Sequence, residues 1–334
     1  MALLYTDGFD VGDFALRWPY SSGTYTTSTT TRFGTGMSVS QVNGFSSNFI
    51  GKSITPSARI FLGFAMNMLL VPGTIIKTYT DNGATTQISV TLNSGGSFSL
   101  VKGTSTVLAT SAAGLYPAGS WQYIELCVAV NSTTGYCELR VNGGTAVSFT
   151  GNTRNGGTST LVDRFDIYRT SAGTESNYWD DLYVCDNTGT TNNTFLGDIQ
   201  VQTLLPNGAG ASTQFTPTGA ATNWQAVADV PYSTSTYNSA STVGNRDLYT
   251  LSDLNAATGT VLGIQTNMII NKTSAGTANL KAAIQSGGTV YYDPTIALST
   301  TTTWTGAVRE VDPATSSAWT VNGVNNLQAG TEVA

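Results

Sequence analysis

In WQYIELCVAVNSTTGYCELRVNGGTAVSFT, residues 121–150, apolar side chains alternate with polar or small ones in two successive runs. Ile124, Leu126, Val128 and Val130 fall on one face of the first run, with Tyr123, Glu125, Cys127 and Ala129 on the other. A period of two with one apolar face predicts a strand packed on a core. After the turn-forming residues Asn131 to Gly135, Cys137, Leu139 and Val141 alternate with Tyr136, Glu138 and Arg140. Asn142-Gly143-Gly144 is the strongest hairpin signal of the chain, because these residue types accept positive φ at the centre of a tight turn. Three antiparallel strands in a meander are predicted.

The same pattern continues on both sides. Strands are predicted at Arg32 to Val42, Phe49 to Ile54, Arg59 to Val71, Thr85 to Leu92 and Phe98 to Val101. Arg164 to Tyr168 and Trp179 to Cys185 close the series, with a polar loop at Thr170 to Asn177 between them, and Phe195 to Leu205 is predicted to add a strand. Pro206-Asn207-Gly208-Ala209-Gly210 then breaks the alternation, which places a domain boundary between residues 1–205 and 206–334. In the second part Val261 to Asn271 and Asn279 to Gln285 are predicted to pair as a hairpin. Near the end Thr320 can cap a short helix with Val321, Val324 and Leu327 on one face, stopped by Gly330. The fold class is all-β: two antiparallel β-sandwiches, the second smaller and carrying that short helix.

Composition supports this class and excludes others. Of 334 residues only 10% are charged, 36 are glycine, and threonine and serine fill many polar positions, a balance that suits strands and turns. A net charge of −6 argues against a nucleic-acid partner, since phosphate recognition needs clustered lysine and arginine. No apolar run approaches the ~20 residues of a spanning helix, so membrane insertion is not expected. The start, Met1-Ala2-Leu3-Leu4-Tyr5, runs into Asp7 and Asp10 without the basic and apolar segments of a secretory signal, so synthesis in the cytoplasm without secretion is expected. The three cysteines, Cys127, Cys137 and Cys185, read as small buried hydrophobes rather than a disulfide framework, and a chain without histidine is a poor zinc binder.

The spacing W-x-x-I-E-L-x-V followed by G-x-x-x-L-x-V-N-G resembles the central hairpins of concanavalin A-like and laminin-G-like jelly rolls. The opening Asp7-Gly8-Phe9-Asp10 with Trp18, and the segment Asn177 to Val184, extend that resemblance over the first part of the chain, where it is to lectin-like virion structural proteins of tailed bacteriophages. The closing segment from Asp312-Pro313 resembles the ending of phage β-sandwich proteins. The resemblance implies a virion structural protein, a capsid decoration or a tail fibre or spike component. Its partners would be other copies of itself, as a homo-oligomer, and other virion proteins, with host-surface carbohydrate as ligand. The alternatives are a polysaccharide-cleaving enzyme and a free bacterial lectin or adhesin.

In concanavalin A-like folds the first and last strands lie side by side, and acidic residues from each can share a calcium ion. By position Asp7 and Asp10, with Asp180 or Asp181, match that arrangement, and Asp7, Asp10 and Asp181 are the expected ligands; hard oxygen donors without His or Cys suit calcium. A catalytic residue is not expected. The related sandwich glycosidases use E-x-D-x-x-E, whereas here Glu125 is followed by Cys127 and Val130, and no histidine can serve as a base. Glu125 with Glu138 is the one close carboxylate pair to propose. Sugar-stacking candidates are Tyr20, Tyr25, Tyr79, Tyr116, Tyr178, Tyr232 and Tyr237, among which the sequence distinguishes no pair.

Overall fold

The computed structural model describes residues 2–34, 38–41, 48–168 and 177–334, which divide into two compact units, Met1–Val201 and Gln202–Ala334. The loop expected at Thr170 to Asn177 lies outside the described residues apart from Asn177. The first unit begins with β1 (Leu3–Asp7), β2 (Tyr20–Ser22), β3 (Tyr25–Ser28), β4 (Ser38–Gln41) and β5 (Phe49–Ser57). It continues with β6 (Ile60–Asn67), β7 (Gly73–Thr80), β8 (Thr85–Leu92), β9 (Phe98–Lys102) and β10 (Thr106–Thr110). The last strands are β11 (Gln122–Ala129), β12 (Gly135–Val141), β13 (Gly144–Gly151), β14 (Val162–Tyr168) and β15 (Asn177–Asp186).

These strands form two antiparallel sheets. The eight-stranded sheet runs β13-β12-β11-β6-β15-β4-β3, with β1 added on β15, and the seven-stranded sheet runs β10-β9-β8-β7-β14-β5-β2. The meander β11-β12-β13 is as expected, and its tight turn has Asn142 at φ 49° and Gly143 at φ 80°. The Asn142 side chain ties that turn back to β11, accepting the Tyr123 N–H at 2.8 Å. One face of each sheet is apolar and fully enclosed: Ile124, Leu126, Val128, Leu62, Phe64 and Val184 from one, Ile50, Ile76, Ile88, Val90, Phe165 and Ile167 from the other, all at 0% exposure. Each such side chain stabilises by roughly 1.5–3 kcal/mol through burial, which is what fixes strand register in a sandwich.

The opposite face of the eight-stranded sheet departs from expectation. Tyr123, Glu125 and Cys127 are as buried as their apolar neighbours. What covers them includes the stretch predicted as a strand at Phe195 to Leu205, which has no regular secondary structure before Pro206. Three of its N–H groups donate to side chains of the sheet. Leu196 N–H donates to the Tyr183 hydroxyl at 3.1 Å, Gly197 N–H to Glu125 Oε1 at 2.8 Å and Val201 N–H to Asp181 Oδ1 at 2.8 Å. Phe195 packs edge-on to Phe61 of β6, with ring centroids 5.1 Å apart. Gly63 makes room beneath: a Cβ there would sit 2.1 Å from the Tyr183 ring.

In the second unit, Pro206–Thr213, Arg246–Leu251, Gln328–Val333, Asn279–Ser286 and Thr289–Tyr292 lie side by side in that order. The predicted break at Pro206 to Gly210 is therefore an edge strand, where a leading proline is tolerated because its missing N–H is not needed. Val261 to Asn271 does not pair with Asn279 to Gln285. Ile264–Ile270 pairs instead with Thr303–Arg309, while Asn279–Ser286 turns back into Thr289–Tyr292 through Gly287 and Gly288, at φ 57° and 81°. The short helix forms as expected at Val321–Asn325, capped by Thr320 Oγ1, which accepts the Gly323 N–H at 2.9 Å. Gly330 does not stop it. That residue lies within Gln328–Val333, where a Cβ would meet the Asp247 carbonyl oxygen at 2.0 Å, so its role is close strand approach.

Candidate functional site

Strand pairing assembles a polar face on the outside of the seven-stranded sheet. Arg164 of β14 lies opposite Tyr79 of β7, and Asp166 lies between Lys77 of β7 and Gly51 of β5. Tyr168 faces Phe49 of β5, Tyr20 of β2 faces Gly51, and Ser89 of β8 faces Lys77. Directly opposed residues share a face, so these side chains stand together while Phe165 and Ile167 point into the core.

Asp166 is the centre of the cluster and is fully buried. Arg164 grips it with two parallel hydrogen bonds, Nε to Oδ1 at 2.8 Å and Nη2 to Oδ2 at 2.9 Å. The Tyr79 hydroxyl donates to Oδ2 at 2.6 Å, and the Tyr168 hydroxyl lies 3.4 Å from the same oxygen and 3.1 Å from the Tyr79 hydroxyl. The carboxylate can lie across β5 because Gly51 is bare: a Cβ there would be 2.0 Å from Asp166 Oδ1. The Arg164 guanidinium is also stacked on aromatic rings, 3.9 Å from the centroid of Tyr20 and 4.8 Å from that of Tyr79. Lys77 Nζ sits 4.5 Å from the Tyr168 centroid.

Burial shifts the titration of this cluster. It pushes Tyr79 far above the usual phenol range, helped by its hydrogen bond to Asp166, and Tyr168 up to about 12. Burial raises Asp166 against the pull of Arg164, and lowers Lys77 against the pull of Asp166. Both phenols are therefore proton donors throughout the physiological range.

Two of the expected calcium ligands, Asp7 and Asp181, are engaged by groups of the protein itself. Asp7 is buried with its oxygens already taken: Tyr5 OH donates at 2.8 Å, Phe9 N–H at 2.7 Å and Trp18 Nε1 at 3.1 Å, and Arg17 Nη2 forms an ion pair at 3.0 Å. Asp181 accepts from Val201 N–H and pairs with Arg32 at 3.4 Å. Among the described residues no group of three or more acidic, histidine or cysteine side chains is placed to hold a metal ion. Asp180 and Asp181 do come close to Asp10 electrostatically, and Asp181 has a left-handed backbone at φ 53° where β15 shifts register against β6. Glu125 and Glu138 are both engaged as well. Glu125 Oε1 accepts the Tyr183 hydroxyl at 2.5 Å, and Glu138 is held by Arg140 and Thr145. The cysteines are free and buried, as expected.

Of the seven candidate tyrosines, Tyr20 and Tyr79 meet around Arg164. Tyr116 is buried, bonded through its hydroxyl to the Met68 backbone, and Tyr25 donates to the Ser22 carbonyl. Tyr178 packs near Trp121, and Tyr232 and Tyr237 belong to the second unit. Arg164, Asp166, Tyr168 and Lys77 were missed. Their signal is the polar alternation R-x-D-x-Y at 164–168 and K-x-Y at 77–79, set against apolar residues on the other face.

The Asp180 and Asp181 pair makes a pH prediction. Burial raises both carboxyls above the usual range, with mutual repulsion adding at Asp180. A raised acid holds its proton more tightly folded than unfolded, so stability falls as pH rises from about 4 into the neutral range. Asp180→Asn keeps an acceptor for the Asp181 N–H, now at 2.9 Å, and removes one charge. Its melting temperature should exceed wild type at neutral pH, by the equivalent of roughly 1 kcal/mol, and converge with it near pH 4. Parallel melting curves across that window would defeat the assignment.

No protein-family model matches the chain, and no curated protein matches it in sequence. Solved structures similar to it include a mutant alginate lyase in complex with alginate tetrasaccharide, at 11% identity and a TM-score of 0.39, covering 55% of this chain and 95% of that one. An endo-β-1,4-glucuronan lyase from the fungus Trichoderma reesei is 12% identical, with a TM-score of 0.38 over 54% of this chain and 94% of its own. A Bacillus subtilis protein of unknown function with a galectin-like fold is 11% identical, with a TM-score of 0.39 over 55% and 96%. The presence of lyases in this group corrects the expectation that the chain is not an enzyme. That expectation rested on the missing histidine and the missing glycosidase carboxylates, and it is withdrawn.

Proposed function

We propose that the first unit binds glycan chains on the outer face of its seven-stranded sheet. The observation that carries this reading is the convergence of three tyrosines, Tyr20, Tyr79 and Tyr168, around the Arg164–Asp166 pair on one strand-built surface. Sugar recognition needs flat apolar faces for stacking beside fixed hydrogen-bonding groups, and this surface combines both. Tyr20, 37% exposed, offers the accessible ring; Arg164, itself held by Asp166, stacks on it at 3.9 Å, and the buried Tyr79 and Tyr168 form the floor behind. A panel of immobilised polysaccharides tests the reading: wild type should be retained by at least one, and Tyr20→Ala should weaken retention about tenfold. Retention by none would end it.

A second reading, a glycan-cleaving enzyme, is favoured by one feature of the same face. The Tyr79 and Tyr168 hydroxyls lie 3.1 Å apart, and burial keeps both protonated, as a donor to a leaving oxygen must be. Accumulation of new reducing ends in a retained polysaccharide, lost in Tyr79→Phe, separates this from binding alone. The phage-virion setting and self-association stay proposals carried by sequence resemblance, in which many copies on one particle would multiply weak glycan contacts.

A further inference from the structure

Among the described residues, the polar face of the seven-stranded sheet carries two cations, Arg164 and Lys77, around one carboxylate, Asp166. Asp166 accepts twice from Arg164 and again from the Tyr79 and Tyr168 hydroxyls, which fills its acceptor positions. Lys77 stands beside it on the neighbouring strand. Its ammonium rests on the Tyr168 ring at 4.5 Å and, among the described residues, forms no ion pair within 4.0 Å. Burial weakens its hold on the proton, which an incoming anion would restore. A locally positive spot is also out of keeping with a chain whose net charge is −6.

We propose, building on the glycan-binding reading above, that this face selects sugar chains bearing carboxylate groups and that Lys77 takes the carboxylate. The geometry divides the work. Arg164 is locked into Asp166 and stacks on the aromatic rings, whereas Lys77, on a flexible stem from the neighbouring strand, keeps a charge that no carboxylate among the described residues pairs with. A carboxylate placed there replaces lost hydration of a half-buried ammonium, so a charged sugar is favoured over its neutral counterpart on the same backbone.

The test uses one polymer in two charge states: polygalacturonate and the same chain fully methyl-esterified. Wild type should bind polygalacturonate about tenfold more tightly than the ester, with a preference that shrinks as salt is added. Lys77→Gln should abolish the preference with an unchanged melting temperature, and Lys77→Arg should keep most of it. Equal binding of both polymers, or an undiminished preference in Lys77→Gln, overturns the inference. Binding of neutral glycans with neither galacturonate polymer retained overturns it too, while leaving the glycan-binding reading intact. Failure to bind any polysaccharide removes both.

Discussion

Asp7→Ala is expected to destabilise the first unit by about 3–5 kcal/mol, the usual result of removing one member of a buried ion pair. Arg17, 3% exposed, would lose the carboxylate it meets at 3.0 Å, and the Trp18 indole and Tyr5 hydroxyl would each lose an acceptor. The neighbourhood is already rich in positive charge. Lys52, lowered to about 8 by burial, donates to the Arg17 carbonyl at 2.7 Å and lies 4.3 Å from the Tyr5 ring. Urea denaturation is the measure, and the Asp7→Ala, Arg17→Met double variant should recover part of the loss because no charge is stranded. A loss under about 1 kcal/mol for Asp7→Ala would show that the pair is not enclosed as described.

Arg164→Ala should have an effect of similar size on stability and a larger one on ligand binding. Asp166, 0% exposed, would keep two phenol donors but lose both bonds of the guanidinium fork, at a cost of about 3–5 kcal/mol. Tyr20 would lose the cation beneath its ring. Adding Asp166→Asn should restore much of the stability by removing the stranded charge, without restoring glycan retention. Recovery of both together would mean that Arg164 serves the fold alone.

Much of the scaffold was legible because strands declare themselves locally. Thr85 to Leu92 was readable to the residue, and the Asn142-Gly143 turn fixed the register of β12 against β13, since positive φ is a property of those residues themselves. The polar face was not legible as a site. Tyr20, Tyr79 and Arg164 are brought together by the order of strands in the sheet, which no local pattern encodes. The partners of Asp7 were not legible for a related reason: Arg17 and Trp18, ten and eleven residues on, are folded back onto it by a one-turn helix at Phe14–Arg17. Val261 to Asn271 and Asn279 to Gln285 are neighbours in the chain but not in a sheet, because strand order is set by packing that local pattern does not encode.

The segment that overlies the eight-stranded sheet is held by its own N–H groups at Leu196, Gly197 and Val201, which every residue but proline can supply. Selection on how it docks therefore falls mainly on the acceptors Tyr183, Glu125 and Asp181, and on Phe195 as the apolar plug. The covering stretch itself is free to drift in sequence while keeping its path, so a diverged descendant of this chain would betray the cover by retaining the buried tyrosine and carboxylates of the sheet, not by any similarity in the cover.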